Sequence, residues 1–182
     1  SRGQGPLGRE VCMTTESDPP RTGEQRLPFD PGARADATIA FIGHLVTPWR
    51  KGDCPKNLTE ARARGGSFAV RLDPGYRAAL AGLAAGDAIV LLYWMAGARR
   101  DLAVQAPGHR PDPRGTFALR SPARPNPVAM AVVRILAIDA AAGHVSVDAL
   151  DAFDGTPLVD IKPWLPGVDV PPGWHPGQAN PA

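Results

Sequence analysis

The run 88–95, Ala-Ile-Val-Leu-Leu-Tyr-Trp-Met, constrains the fold of this chain most, because every side chain in it is apolar or aromatic. A helix that spans a membrane needs about 20 apolar residues, so this run is too short for one. Its β-branched and aromatic residues favour a strand that is buried on both faces. The sequence therefore predicts a central β-strand with structure packed against each of its sides.

Five further segments predict the strands around this central one. Each is rich in β-forming residues or alternates apolar with polar residues, and turn residues bound it. The third and fourth segments are separated by a turn that ends at Gly143, which predicts a hairpin. Helical patterns do not regularly separate the strands, so a β-barrel or a β-rich α+β domain is favoured over a doubly wound sheet. The predicted strands are 38–46, 67–72, 128–138, 144–150 and 156–161.

Two short helices are also predicted. Asn57 and Glu60 have the spacing of a capping box, and the helix that they begin ends before Gly65. Asp73 can cap a second helix, with Pro74 at its first position. The apolar residues expected to share one face of that helix are Tyr76, Leu80 and Leu83.

Proline and glycine, 21 and 20 residues, are concentrated toward the two ends of the 182-residue chain. We therefore expect one domain over 38–166, a flexible polar arm over 1–37 and a proline-rich, extended tail over 167–182. We expect Met13 to be the natural start, so residues 1–12 take no part in the fold prediction. With two cysteines and no long apolar run, the sequence predicts a cytoplasmic protein with no disulfide framework and no membrane partner.

Several kinds of site are excluded by what the sequence lacks. No Gly-x-Gly-x-x-Gly follows a strand and no phosphate loop is present, so a standard dinucleotide or nucleotide site is not expected. The cysteines and histidines have no metal-ligand spacing, and no metal is expected. Each histidine is interpreted as an ordinary surface or core residue: His44, His109, His144 and His175.

Residues 97–127 are predicted to form a long irregular segment that is rich in arginine. The net charge of the whole chain is only +2, so any affinity for nucleic acid must come from a local patch such as this one. Arginine binds phosphate and carboxylate groups in bidentate fashion, which favours an RNA or acidic ligand. A solvated loop explains the charge equally well. The arginines are Arg99, Arg100, Arg110, Arg114, Arg120 and Arg124.

Two motifs carry most of the chemical information. The first, 117–127, reads Phe-Ala-Leu-Arg-Ser-Pro-Ala-Arg-Pro-Asn-Pro, and its prolines restrict the backbone so that polar side chains are displayed at fixed angles. A rigid connection at a sheet edge is the alternative. The second, 154–163, reads Asp-Gly-Thr-Pro-Leu-Val-Asp-Ile-Lys-Pro. Its turn precedes a strand on which Asp160 and Lys162 are expected to point to one face as a charged pair.

Together the motifs resemble the signature of the TsaA-like, TrmO-type family of tRNA methyltransferases, in which the first motif has threonine at the position of Leu119. Residues 42–45 and Pro48-Trp49 are similar to the first strand and turn of that family. The resemblance implies a mainly β fold, a single-sheeted β-barrel with one or two short helices and extended arms. It also implies a homodimer that binds S-adenosylmethionine near the subunit interface. The reaction that it implies is methylation of N6 of threonylcarbamoyladenosine in tRNA, and no DNA partner is expected.

The resemblance also assigns roles to individual residues. Asp160 is expected to accept the proton of the target N–H, directly or through a water molecule. The cofactor contacts that it implies are Arg120, Met130, Asp154, Gly155, Thr156 and Pro157, with Lys56 and Asn57 at the place of an Arg-Gln pair in the family. The expected RNA contacts are Arg99, Arg100, Arg110, Arg114, Arg124, Asn126 and Lys162.

Met95-Ala96 stands where the family has a His-Gln pair, so two polar side chains are missing from the expected pocket. Two alternatives therefore stay open. The same barrel and cofactor can serve another acceptor, such as a different RNA or a small molecule. Alternatively, the chain is a non-catalytic module that binds S-adenosylmethionine or RNA.

Overall fold

The computed structural model describes residues 18–34, 36–108, 111–175 and 177. The two α-helices in this part of the chain are α1 (Leu58–Arg64) and α2 (Pro166–Asp169), and 3-10 helices occur at Pro31–Ala33, Pro74–Leu80 and Thr116–Ala118. The strands are β1 (Gln25–Arg26), β2 (Gly43–Val46), β3 (Phe68–Leu72), β4 (Ala88–Trp94), β5 (Leu102–Gln105), β6 (Arg114–Gly115), β7 (Val128–Asp139), β8 (His144–Val147) and β9 (Pro157–Pro163).

Six of these strands form a closed barrel in the order β2-β3-β8-β7-β4-β9. Every neighbouring pair is antiparallel, and β9 pairs back to β2 through Gly43 and Leu158, which closes the ring. Closure leaves the barrel with no unpaired strand edge. The predicted mainly β barrel is therefore confirmed, and the six predicted strands are all present with somewhat different bounds.

The predicted central strand is β4. It pairs with β7 along its whole length and with β9 from Ile89 to Tyr93. Ile89, Leu91 and Tyr93 point into the barrel and are buried, while Val90 on the outer face is also covered. The inner face of β4 is therefore buried as predicted, but on the outer face only Val90 is buried, and Ala88, Leu92 and Trp94 are half-buried. Burial on both faces, predicted from the continuously apolar sequence, holds for part of the strand only.

Side chains that alternate inward along the six strands fill the barrel. Full burial of one such aliphatic side chain contributes about 1.5–3 kcal/mol to stability. Trp49 closes one part of this core, because its ring packs 5.7 Å from that of Phe68 and its Nε1 donates to the Leu150 carbonyl at 2.7 Å. The largest fully buried side chains are Leu45, Ile89, Leu91, Ile135, Leu150 and Leu158.

The first predicted helix is confirmed and the second differs. Asn57 Oδ1 accepts from the Glu60 N–H at 2.8 Å, so Asn57 caps α1 as expected. The Glu60 carboxylate reaches back one residue further than in a capping box and accepts from the Lys56 N–H at 3.1 Å. The second helix, Pro74–Leu80, is 3-10 rather than α, and Asp73 makes no side-chain cap. Residues four apart do not share a face at three residues per turn. Leu80 is therefore buried while Tyr76 is exposed, and the predicted common face is wrong.

The segment predicted to be irregular, 97–127, contains part of a second, three-stranded sheet in the order β1-β5-β6. The buried side chain of Gln105 joins β5 to the part of this segment that follows β6. It donates to Thr116 Oγ1 at 3.0 Å and to the Ala123 carbonyl at 2.7 Å. A buried amide that bridges separate segments leaves no periodic signal in the sequence. The tail is also less extended than predicted, because α2 forms a turn of helix after Leu165.

Within the described residues, no helix is both long and apolar enough to cross a membrane.

We predict that Gly43→Ala lowers the free energy of unfolding by about 3 kcal/mol, because the added Cβ has no room. It would be forced against the backbone carbonyl of Arg71 on the paired strand β3. Urea denaturation followed by tryptophan fluorescence measures the change. Gly115→Ala is the matched control, since a Cβ at Gly115 meets nothing within 4 Å. Equal unfolding midpoints for the two variants would contradict the close packing of β2 against β3.

Candidate functional site

The two motifs meet at one end of β4, although the 26 residues 128–153 separate them in the sequence. The first motif runs directly into β7, whose Val128 pairs with Trp94, and the second runs into β9, whose Leu158 pairs with Tyr93. Both β7 and β9 are antiparallel to β4. Each motif therefore arrives at the carboxyl end of β4, one on either side of it.

A bulge in β9 sets the direction of Asp160. Leu92 pairs with Asp160 whereas the next residue, Tyr93, pairs with Leu158, so Val159 is an extra residue in β9. Without this residue, strict alternation from the buried Leu158 would point Asp160 into the barrel. With it, Asp160 lies on the outer face opposite Leu92.

The outer face at this end of β4 combines apolar and charged groups, and we call it the β4 site. Met130, Leu92 and Asp160 form one row across β7, β4 and β9. The Met130 side chain is 40% exposed, and Leu92 and Trp94 are half-buried. Arg120 Nη2 donates to the Met130 carbonyl at 3.1 Å, which brings the first motif onto the same face. The β4 site comprises Leu92, Trp94, Arg120, Met130 and Asp160.

The Arg120 guanidinium keeps binding capacity. It is exposed, and the bond to Met130 is its one hydrogen bond to another described residue. A guanidinium has five N–H donors, so most remain available for a carboxylate or phosphate ligand. This arrangement suits a small molecule that has both an apolar part and an acidic group.

The turn Asp154–Gly155–Thr156 is held by its own polar groups. Asp154 Oδ1 accepts from the Thr47 N–H at 3.1 Å, and the Thr156 hydroxyl donates to the Phe153 carbonyl at 2.7 Å. The N–H groups of all three turn residues are bonded to carbonyls within the chain. Among the described residues nothing donates to the Asp154 and Gly155 carbonyls. The turn can therefore offer a ligand acceptors rather than donors.

Asp160 and Lys162 form the charged pair that their spacing predicts, with Oδ2 and Nζ 2.6 Å apart. Asp160 Oδ1 also accepts from the Ile161 N–H at 2.9 Å. The structure therefore fixes the orientation of this carboxylate at the edge of the β4 site. Its role as a proton acceptor stays a prediction.

Most of the arginines expected to contact RNA hold their own loop together. Arg99 is paired in bidentate fashion with Asp101, at 2.9 and 3.0 Å, and it keeps the pKa of Asp101 below its ordinary value. Arg100 donates to the Pro125 carbonyl at 2.6 Å and lies 5.7 Å from the Trp94 ring centroid. Arg124 donates to the Leu119 carbonyl at 2.7 Å. Their RNA roles stay predictions, and the structure gives these three side chains an internal role as well.

The other predicted contacts are placed as follows. Asn126 accepts a long hydrogen bond from Arg100, at 3.4 Å. The Arg114 guanidinium meets no acceptor among the described residues, and Arg110 lies outside them. Lys56 is exposed and Asn57 caps α1. No contact within the described part of the chain joins Lys56 or Asn57 to the β4 site.

Tyr93 and Asp151 form a polar pair that the sequence patterns do not predict. The Tyr93 hydroxyl donates to Asp151 Oδ1 at 2.9 Å, and burial followed by this carboxylate raises the Tyr93 pKa above its ordinary value. Asp151 also accepts from Cys54, whose Sγ lies 3.3 Å from its carbonyl. The one available signal was that a tyrosine in a buried strand needs a partner for its hydroxyl.

In the described residues no group of three or more His, Cys, Asp or Glu side chains could hold a metal ion.

Comparison with known proteins identifies the family. Residues 44–170 match the family described as the tRNA-methyltransferase O N-terminal domain. This chain belongs to that family. The match covers β2 to β9, and so includes both motifs and the whole barrel.

Individual relatives agree with this TrmO-family assignment. A probable S-adenosyl-L-methionine-binding protein, VirR of Rhizobium radiobacter, is 33% identical over 129 residues, which are 70% of this chain and 71% of that protein. A tRNA (adenine(37)-N6)-methyltransferase of Eikenella corrodens is 42% identical over 66 residues, 36% of this chain and 38% of that enzyme. The crystal structure of TrmO from Pseudomonas aeruginosa superposes with a TM-score of 0.59 at 26% identity. That match covers 80% of this chain but 63% of the solved one, so this chain spans less than two thirds of that structure.

We predict that Cys54 reacts slowly with alkylating reagents, because burial and the neighbouring Asp151 raise its pKa to about 11. The thiolate is the reactive form, so at pH 8 we expect alkylation of the folded protein to be at least about tenfold slower than in urea. Iodoacetamide labelling of a Cys12→Ser variant, read by mass spectrometry, measures this rate. The raised pKa belongs to the folded state, so the protonated thiol contributes to the free energy of unfolding below about pH 9. This contribution is lost as pH rises toward 11. Equal rates with and without urea would contradict the burial of this thiol.

Proposed function

We propose that this chain is an S-adenosylmethionine-dependent methyltransferase that acts on tRNA, at N6 of threonylcarbamoyladenosine. The observation that carries the proposal is the meeting of both motifs at the carboxyl end of β4, around an arginine with available donors. Membership of the TrmO family and the names of its relatives, which include cofactor-binding proteins and a tRNA methyltransferase, support it.

The residues present fit this cofactor. Arg120 would bind its carboxylate, and the carbonyls of Asp154 and Gly155 would accept from its amino or hydroxyl groups. The apolar surfaces of Met130 and Pro157 would contact its uncharged parts, and Thr156 keeps the turn in shape through its bond to Phe153. Lys56 and Asn57 stay proposed contacts. When bound, S-adenosylmethionine supplies a methyl group activated by its positively charged sulfur.

The chain itself would position the acceptor and take up a proton. Asp160 is the proposed proton acceptor, because the bulge at Val159 turns its carboxylate onto the β4 site. Holding the two reactants in line supplies much of the rate in a displacement of this kind. The proposed RNA contacts are six cations and one amide: Arg99, Arg100, Arg110, Arg114, Arg124, Asn126 and Lys162.

The proposal also covers assembly and organisation. An outer barrel face with a half-exposed Met130 and Trp94 suits a homodimer in which the cofactor binds near the subunit interface. We propose a barrel domain over 38–166 between an arm over 1–37 and a tail over 167–182, in a protein of the cytoplasm. The arm is not flexible throughout as predicted, because its strand β1 pairs with β5.

A second function, cofactor binding without methyl transfer, is favoured by one observation. Met95 packs against the core and Ala96 carries no polar group, so the end of β4 lacks two side chains that the family pattern places there. Binding with no transfer to any tRNA would support this second function.

We predict that the chain binds S-adenosylmethionine and that Arg120→Ala weakens binding by more than about tenfold, because the variant loses a charge-assisted contact. Titration calorimetry measures the affinity. Methyl transfer to tRNA with and without threonylcarbamoyladenosine, followed by nucleoside mass spectrometry, tests the acceptor. Transfer is expected only to the modified tRNA.

Arg134→Ala is the matched control for this experiment. Arg134 is also an exposed arginine of the barrel that donates to one carbonyl, that of Gly86 at 2.6 Å, but it lies on β7 opposite Ala88, at the other end of β4. Unchanged affinity in Arg120→Ala, or equal losses in the two variants, would contradict the proposed cofactor contact. Transfer to tRNA that lacks the modification would contradict the proposed acceptor.

A further inference from the structure

A row of three basic side chains crosses the outer face of the barrel on β8, β3 and β2. His144 pairs with Arg71, and Arg71 pairs with His44. All three point outward, because the next residues along their strands, Val145, Val70 and Leu45, are fully buried. We call these three residues the basic row. It spans about 10 Å, two spacings between neighbouring strands.

The arginine of this row is available for a ligand. Arg71 is exposed, and its guanidinium makes no hydrogen bond or ion pair to any other described residue. In contrast, Arg99, Arg100 and Arg124 are bonded within their own loop. Within the described residues, Arg71 therefore keeps its donors for a phosphate, as Arg114 and Arg120 of the arginine-rich loop largely do, whereas Arg99, Arg100 and Arg124 are already engaged.

Acidic groups lie at both ends of the row. His144 pairs across the hairpin with Asp139, and its Nε2 is 3.3 Å from Ser146 Oγ. Asp73 lies at the other end, beside His44. Arg77 adds a further cation near the hairpin, where it donates to the Ala141 carbonyl at 2.8 Å. Positive charge is thus concentrated at the centre of the row, on Arg71.

The row leads to a cleft of about 290 Å³ next to the second motif. His44 pairs with Pro157 on β9, which continues the row to the turn at Gly155. Phe41 presents an aromatic surface that is 42% exposed, and Asp73 presents a carboxylate. The residues that line the cleft are Phe41, Gly43, His44, Asp73, Gly155 and Pro157.

These groups match the chemistry by which proteins bind single-stranded RNA. Cations follow the phosphates, aromatic rings stack on unpaired bases, and polar acceptors engage the 2′-hydroxyl that distinguishes RNA from DNA. An exposed guanidinium, an exposed phenyl ring and a carboxylate lie here within one continuous surface. The surface ends at the turn that the proposed function assigns to the cofactor.

We propose that the basic row and the adjoining cleft bind the single-stranded RNA segment that carries the methyl acceptor. Arg71, His44 and His144 contact phosphates, Phe41 stacks on one base, and Asp73 accepts from a ribose hydroxyl. This inference rests on the proposed function, and it adds an RNA surface outside the arginine-rich loop.

The test measures binding of a fluorescein-labelled single-stranded oligoadenylate RNA by fluorescence anisotropy. Arg71→Gln is expected to weaken binding about fivefold and to make the salt dependence shallower by about 0.7 in log–log slope, the value for one phosphate contact on a single strand. Phe41→Ala is expected to weaken binding at least about fivefold through loss of stacking. Arg71→Lys is expected to restore most of the affinity, and Arg134→Gln to leave it unchanged.

Wild-type affinity in both Arg71→Gln and Phe41→Ala would overturn the inference. DNA of the same sequence is expected to bind more weakly than RNA, with the difference lost in Asp73→Ala, which removes the acceptor, and equal affinities in the unmodified chain would overturn the ribose contact. Calorimetry with S-adenosylmethionine on the same variants separates this inference from the proposed function. Cofactor binding is expected to persist in Arg71→Gln, whereas no cofactor binding by the unmodified chain would overturn the proposed function and this inference together.

Discussion

The pairing of β4 with an antiparallel strand on each side is the interaction on which the rest of the structure depends. It buries Ile89, Leu91 and Tyr93 inside the barrel. Because β7 and β9 both run opposite to β4, the segments before them must arrive at the same end of that strand. The site is therefore a consequence of strand direction, and no contact between the two motifs is needed to bring them together.

Two local features fix the orientation of the groups at this end of β4. The extra residue Val159 places the Asp160 carboxylate on the outer face of the sheet. In the loops, hydrogen bonds from side chains to backbone carbonyls fix the conformation. Arg100, Gln105 and Arg124 hold the proline-rich segment in this way. Much of the local positive charge is thus used to build the site, and Arg120 and Arg71 keep most of their donors for ligands.

The sequence predicts those features that depend on a local pattern of residues. Apolar runs locate the barrel strands, the Asn57 capping box locates α1, and the motif resemblance gives the family. The second sheet is not predicted, because its strands β1, β5 and β6 have only 2, 4 and 2 residues, too few to show an alternating pattern. The bulge at Val159 is not predicted, because the register of β9 is set by its partner strand β4. The basic row is not predicted either, because His44, Arg71 and His144 become neighbours only through strand pairing.

The proposed function requires that both motifs form one cofactor site at the end of β4. Hydrogen–deuterium exchange of the full chain, with and without S-adenosylmethionine, tests it most directly. If this single site exists, the cofactor slows exchange in peptides covering 117–130 and 154–162 together, while peptides from the hairpin at 139–144 are unaffected. Protection of one motif alone, or protection confined to other parts of the barrel, would contradict it.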